Sequence, residues 1–419
     1  MKLIFNNLLW ITVIFVVCCP VSSKAYSVLT HEAIVDASWE SSILPLLKNK
    51  YPGSTEEQLK QARAFAYGGA IAPDMGYFAF GSHLFTDLVH YVRSGDFIHA
   101  LLDEAREVNE YAFALGFLCH YMSDKYGHSI AINKCVPIAY PKLKNKFGDV
   151  VVYEKDHTSH RRVEFAFDVL QTARGNYASR SYHGFIGFEV SRPVLERAFS
   201  KTYGLDINGV FGNLSLAIGT FRWSVKNLFP AMTRAAWVIK KNEIRKLQPT
   251  ATSRSFNYRM SRASYYREFG KEHSRPGFFA NAFSWVIRIL PKVGTLRSLK
   301  IKEPGPAEEK LFIQSFDTVV LNCAAAMKNL NTQSIRFANI NYDTGDDTAP
   351  GDYELADNNY GKLLLKLSEQ KFDLLSPALK ENIIAFYGNS NAAIAAKNNL
   401  EEWGKTMKAL EELKLVQVK

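Results

Sequence analysis

The chain is poor in several things. It has only five cysteines in 419 residues, which excludes a small disulfide-stapled scaffold. Past Pro20 no apolar run is long enough to cross a bilayer, a span that takes about 20 residues. Strand-type alternation is scarce and no fixed-period repeat occurs. There is no low-complexity tract, and 47% hydrophobic residues with 22% charged is the composition of a folded chain. Acids are nearly missing from one stretch. Between Arg222 and Lys302, eighteen Lys or Arg face three acids (Glu243, Glu268, Glu272), a net +15 within a chain of +10. The remainder therefore stands at −5, and the basicity belongs to one segment. Such a segment suits an anionic surface or a polyanion.

The N-terminus reads as a targeting signal. Met1-Lys2 gives a short basic start, Leu3 to Cys19 is largely apolar, and Pro20 breaks the run. Ser23-Lys24-Ala25 places small residues where a signal peptidase wants them, so cleavage is expected after Ala25 and a secreted or periplasmic destination follows. An uncleaved anchor is the plainer reading, but Asn6 and Asn7 interrupt the run. Lipidation at Cys18 or Cys19 is a third, disfavoured by the bulky Phe15-Val16-Val17 before it. A mature chain beginning at Tyr26 keeps Cys119, Cys135 and Cys323, which allow one disulfide or none.

Helical spacing dominates from Tyr26 to about Leu205. Apolar residues from Thr30 to Leu47 predict a helix, broken at Pro52-Gly53. Ser54-Thr55-Glu56-Glu57 predicts a second helix start, running to about Tyr67 before Gly68-Gly69. Further helices are expected over His83–Val92, Asp96–Glu107, Asn109–Lys125 and Thr158–Thr172, with Asp74 in a turn after Pro73. The stretch 206–303 is basic and aromatic. A helical region, 304–419, follows, with helices over Ser315–Leu330, Tyr353–Leu367, Pro377–Tyr387 and Ala392–Leu415. Asp343 to Asp352 is a Gly- and Asp-rich loop between them. Nothing in the sequence past Asp206 assigns that part a role, or an oligomeric state to the chain.

The chemistry lies in the histidines. Eight of the ten fall between His31 and His160. His120-x3-Asp124-x3-His128 steps by four, so on a regular helix the three side chains share one face. His160-x3-Glu164 repeats the spacing once. A single such pair is commonly a surface ion pair. Three linked residues and a second pair point instead to metal, and the imidazole–carboxylate mixture suits zinc. His120 also sits in an apolar run, Phe113 to Cys119, where an imidazole needs a partner. His31, Asp74 and His90 (in Asp87-Leu88-Val89-His90-Tyr91) are weaker signals taken singly.

Taken in order, Tyr26-Ser-Val-Leu-Thr-His31, Pro73-Asp74, Val89-His90-Tyr91, His120-x3-Asp124, His128 and His160-x3-Glu164 resemble the zinc-dependent phospholipase C family, a relative of the single-strand-specific zinc nucleases. The resemblance covers about Tyr26 to Glu164. It implies a mostly α fold, here a helical phospholipase C-like domain (26–205) followed by a helical C-terminal extension. It implies two to three zinc ions and no nucleotide cofactor. One zinc would take His90, His120 and Asp124 with Asp74 beside it, and a second His128, His160 and Glu164. A third would take His31, Asp124 and the amino group and carbonyl of Tyr26. Asp74 would act as the base that orients or deprotonates water. Three features depart from the family: Tyr26 stands where Trp is usual, Asp124 to His128 is short, and so is His90 to His120. His157 competes with His160, and His83 and His99 with His90; His183 and His273 read as surface or structural residues.

The substrate is a phosphodiester of one of two kinds. Pro276 to Gly294 carries Phe278, Phe279, Phe283, Trp285 and Ile289 beside Arg275, Arg288 and Lys292, the pattern of an interfacial helix on a phospholipid surface or of a buried core helix with a basic rim. Arg254, Arg259, Arg262 and Arg267, interleaved with Phe256, Tyr258, Tyr265 and Tyr266, would serve a single-strand nuclease instead. A non-catalytic secreted zinc-binding protein is the third reading. The phospholipase C-like hydrolase is preferred.

Overall fold

The computed structural model describes residues 28–174, 188–225, 302–332, 335–389 and 400–418. These residues are mostly α-helical and contain no strand; one isolated antiparallel bridge joins Ile340 and Asp347. No helix among them is long and apolar enough to cross a membrane. Residues 1–27 and 226–301 lie outside the described part, and with them the signal segment, Tyr26 and most of the basic aromatic stretch.

The first helix expected as one piece is two. α1 (Val28–Ser38) passes through a π-helical turn, Trp39–Ile43, into α2 (Leu44–Lys50). α3 (Glu56–Ile71) starts where the sequence signalled. Thr55 accepts from the Gln58 amide at 3.2 Å and Gln58 reaches back to the Thr55 amide at 2.8 Å, a complete capping box. Its end differs from expectation, because the helix runs through Gly68-Gly69 to Ile71. The glycines are packing residues. A Cβ on Gly69 would lie 1.9 Å from the Phe113 carbonyl oxygen, and one on Gly116 1.9 Å from that of Ala66. α3 and α6 (Val108–Tyr126) therefore meet backbone to backbone, a distance only glycine permits.

A 3-10 turn, Ala72–Tyr77, follows α3 and leads to α4 (His83–Tyr91) and α5 (Ser94–Glu104). α6 is buried from Tyr111 to Asp124 without a break, as its all-round apolar sequence requires. It runs into a second π-helical turn, Gly127–Ile132, then α7 (Asn133–Ala139), α8 (Pro141–Phe147) and α9 (His157–Arg174). α10 (Arg192–Tyr203), α11 (Ile207–Phe211) and α12 (Leu214–Trp223) complete this part.

Among the described residues of the C-terminal region the helices are α13 (Pro306–Thr332), α14 (Glu354–Glu369), α15 (Pro377–Gly388) and α16 (Leu400–Leu415). α13 packs on α6, on α1 and on the turn after α6, while α14 packs on α4. Buried apolar residues of both regions, such as Phe117, Phe167, Phe312 and Leu364, belong to one cluster. Between α13 and α14 the chain lies as a strap against α4, α5 and α6. Phe337 donates its amide to His99 Nε2 at 2.8 Å, Tyr121 donates to the Ala338 carbonyl at 3.0 Å, and Tyr342 donates its amide to the His90 carbonyl at 3.1 Å. Cys119, Cys135 and Cys323 are buried free thiols, the first and last in hydrogen-bond contact across the α6–α13 seam.

Candidate metal centre

Six elements deliver the candidate residues to one buried place. α1 carries His31, the 3-10 turn Asp74, α4 His90, α6 His120 and Asp124, the following π turn His128, and α9 His160 and Glu164. Each is at most 2% exposed. His120 Nε2 lies 3.0 Å from Asp124 Oδ2 and 3.4 Å from His90 Nε2. His90 Nε2 is 3.5 Å from both Asp74 Oδ1 and Asp124 Oδ2, and His31 Nε2 is 3.5 Å from Asp124 Oδ1. The His31 and His120 rings stack at 4.2 Å. His128 and His160 form a second corner, stacked at 5.9 Å, with Glu164 Oε1 3.9 Å from His160 Nδ1.

Three sets place potential donor atoms within 4.8 Å of one another: His31, His120 and Asp124; Asp74, His90 and His120; and His128, His160 and Asp343. His128 stands apart from His120 and Asp124 despite the four-residue step. The π turn beginning at Gly127 interrupts the regular helix and gives the short Asp124–His128 interval another direction.

The imidazoles are oriented by their outer nitrogens. His90 Nδ1 bonds the Thr86 carbonyl and His120 Nδ1 that of Ala70, each at 2.8 Å. His160 Nε2 bonds the Val151 carbonyl, and His128 Nδ1 lies 2.7 Å from Asp343 Oδ1. A carbonyl or carboxylate on one ring nitrogen makes that nitrogen the protonated one and turns the other lone pair inward, as metal-bound histidines require. His128 Nε2, His160 Nδ1 and both Glu164 oxygens are buried and have no hydrogen-bond partner. Burying such atoms unpaired is costly.

The electrostatics agree. Burial, helped by the charges of Asp74, Asp124 and Asp343, raises the Glu164 carboxyl well above its ordinary range. Burial lowers His120, and lowers His160 to about 4. Burial also acts against a charge on His128, but Asp343 outweighs it and the net shift is upward. His128 in turn helps bring Asp343 down to about 2 against its own burial. Four carboxylates and five imidazoles buried together form a cluster that bound cations would stabilise, and this nitrogen–oxygen donor set fits zinc.

In a scan against protein families, residues 30–213 match the model described as zinc-dependent phospholipase C. This region is a zinc-dependent phospholipase C family domain. No curated protein and no solved structure matches the chain. The phospholipase C family match and the helical fold bear out the resemblance read from the ordered histidines. The competing histidines of the phospholipase C domain go elsewhere. His83 and His157 are exposed, and His99 is half-buried on the strap. Tyr26, His183 and His273 lie outside the described residues. Asp343 is the acid that sequence reasoning passed over. It stands in the Gly- and Asp-rich loop, 215 residues beyond His128, beside Asp346, Asp347 and Asp352, and no spacing marks it.

Proposed function

We propose that the chain is a secreted zinc-dependent phosphodiester hydrolase acting on phospholipid, with two to three zinc ions. The observation that carries this is the buried convergence of the histidines and carboxylates within the family domain. An imidazole lone pair holds one ion, and the Ala70 carbonyl occupies His120 Nδ1, so His120 can serve only one of the two sets in which it falls. Asp124 has an oxygen toward His31 and another toward His90 and His120, which suits a bridge. We assign His90, His120 and Asp74 to one ion, with Asp124 bridging to another held by His31 and the backbone of Tyr26. His128, His160 and Glu164 are assigned to the remaining ion. We keep the division into a signal peptide (1–25), this domain (26–205), the basic segment (206–303) and the C-terminal region (304–419).

Bound zinc supplies Lewis acidity for a phosphoryl oxygen and for water at neutral pH. The chain's own residues do the rest. Asp74, 1% exposed and beside His90, orients the attacking water and accepts its proton. The Thr86, Ala70 and Val151 carbonyls hold the imidazoles rigid. The buried run Tyr111–Asp124 of α6 keeps bulk water away from one wall. The test is metal analysis of the mature protein together with turnover of a chromogenic phosphocholine ester and of single-stranded DNA. Zinc with ester hydrolysis, both lost in Asp124→Asn, supports the reading. Preference for DNA would identify the nuclease, and a zinc-loaded protein inert on both would identify the non-catalytic reading.

A further inference from the structure

We infer that Asp343, supplied from outside the family domain, is a positioning residue of the metal centre, holding His128 in the tautomer and direction that present Nε2 to the ion. The inference rests on the zinc reading above and goes beyond the residues assigned there. Asp343 is 2% exposed, and three protein donors engage its carboxylate, at least one on each oxygen. Oδ1 receives His128 Nδ1–H at 2.7 Å. Oδ2 receives the Tyr153 amide at 2.7 Å and the Tyr353 hydroxyl. A carboxylate so occupied is a poor ligand, although its oxygens lie close to the two rings. The buried atom of this pair with no partner is His128 Nε2, on the far side of the ring. His160 Nδ1 and both Glu164 oxygens at the same corner also lack a hydrogen-bond partner among the described residues. The metal therefore belongs on the Nε2 side of His128, and Asp343 stands behind the ring as the outer carboxylate of a carboxylate–histidine–metal arrangement.

The strap is built to hold this aspartate. Asn133 Nδ2 donates to the Asp343 carbonyl at 2.7 Å, and the Asp343 amide donates to Asn341 Oδ1 at 2.9 Å. Its neighbour Tyr342 packs its ring 5.0 Å from His90 and 5.8 Å from His120, so one short segment backs both corners of the centre. Asparagine at 343 cannot reproduce this. An amide has one oxygen, and its NH2 would face either the His128 or the Tyr153 donor.

The experiment uses the full mature chain. Zinc affinities of wild type and Asp343→Asn are measured by competition with a chromophoric chelator. In parallel, histidine-labelled wild type loaded with an NMR-active cadmium isotope reports which nitrogen of His128 couples to the metal. The expected result is one ion weakened about 10–100-fold in the variant, the others unchanged, and coupling to His128 Nε2 with the proton on Nδ1. Coupling to Nδ1, or a folded variant whose ions all bind as in wild type, overturns the inference and leaves the zinc reading intact. A wild type that takes up no metal overturns both. Should the variant fail to fold, the wild-type spectrum alone decides.

Discussion

Replacing Glu164 with Gln should reverse the stability order of the protein between its metal-free and zinc-loaded forms. The Glu164 carboxylate is 1% exposed, neither oxygen has a hydrogen-bond partner, and its protonation is favoured in the fold by burial and by Asp74, Asp124 and Asp343. Without metal, folding must either bury this charge or take up a proton. The folded pKa is raised above the ordinary 4.5, so the folded state binds the proton more tightly and the carboxyl does least harm at low pH. As pH rises past the unfolded value, the unfolded chain gives up its proton first and folding becomes progressively less favourable. The slope is at most about 1.4 kcal/mol per pH unit, until the folded group also ionises. Gln is nearly the same size and does not titrate. In chelator, Glu164→Gln should come closest to wild type at the acid end and exceed it by a margin that grows toward neutrality. Each kcal/mol of that margin reads as about 2–4 °C in Tm for domains of 150–250 residues. With saturating zinc the order should invert, because wild type gains binding energy at the His128 corner that the amide cannot supply. Thermal melts across this pH range, with chelator and then with zinc, provide the assay. A variant less stable than wild type in chelator, by a margin that does not move with pH, would refute the reasoning and mean that protein groups already satisfy the carboxylate.

Three further outcomes are expected. Gly116→Val should destabilise the fold by about 3 kcal/mol or more, since its Cβ would lie 1.9 Å from the Ala66 carbonyl; a urea midpoint like that of wild type would contradict the glycine seam. A form carrying extra residues before Tyr26 should bind one zinc fewer and regain it when a protease exposes Tyr26, because an amide nitrogen has no lone pair for the ion; equal zinc content in both forms counts against the N-terminal ligand. Replacing Phe279 and Trp285 with Ser should weaken binding to anionic vesicles while hydrolysis of a soluble ester persists, whereas loss of folding would point to the core-helix reading of that segment.

The sequence showed the helical class and the sites of most helices because period and capping are local. Thr55 and Gln58 form the cap that their spacing predicts. Gly68-Gly69 misled, since glycine marks both chain reversal and close packing, and only the opposing backbone of α6 tells them apart. Among the residues singled out for the site, those in the described part converge, and the four-residue steps located two of the pairs. The π turn at Gly127 leaves no mark in the spacing, yet it sets His128 beside His160. Asp343 and the carbonyls of Thr86, Ala70 and Val151 were illegible for a related reason. Their roles come from tertiary contact, and backbone acceptors have no residue signature.

The reach of the strap has a consequence for the order of events during synthesis. Asp343 follows His128 by 215 residues. At about 5–20 residues per second, the ribosome delivers it roughly 10–40 s later. From Glu164 onward all the assigned zinc ligands have been made, while the group proposed to fix His128 has not. On that proposal, the His128 corner matures only after the strap between α13 and α14 has been made and has docked on α4, α5 and α6. Tight metal uptake there would then be a late event, one that distinguishes a finished chain from a nascent or truncated one.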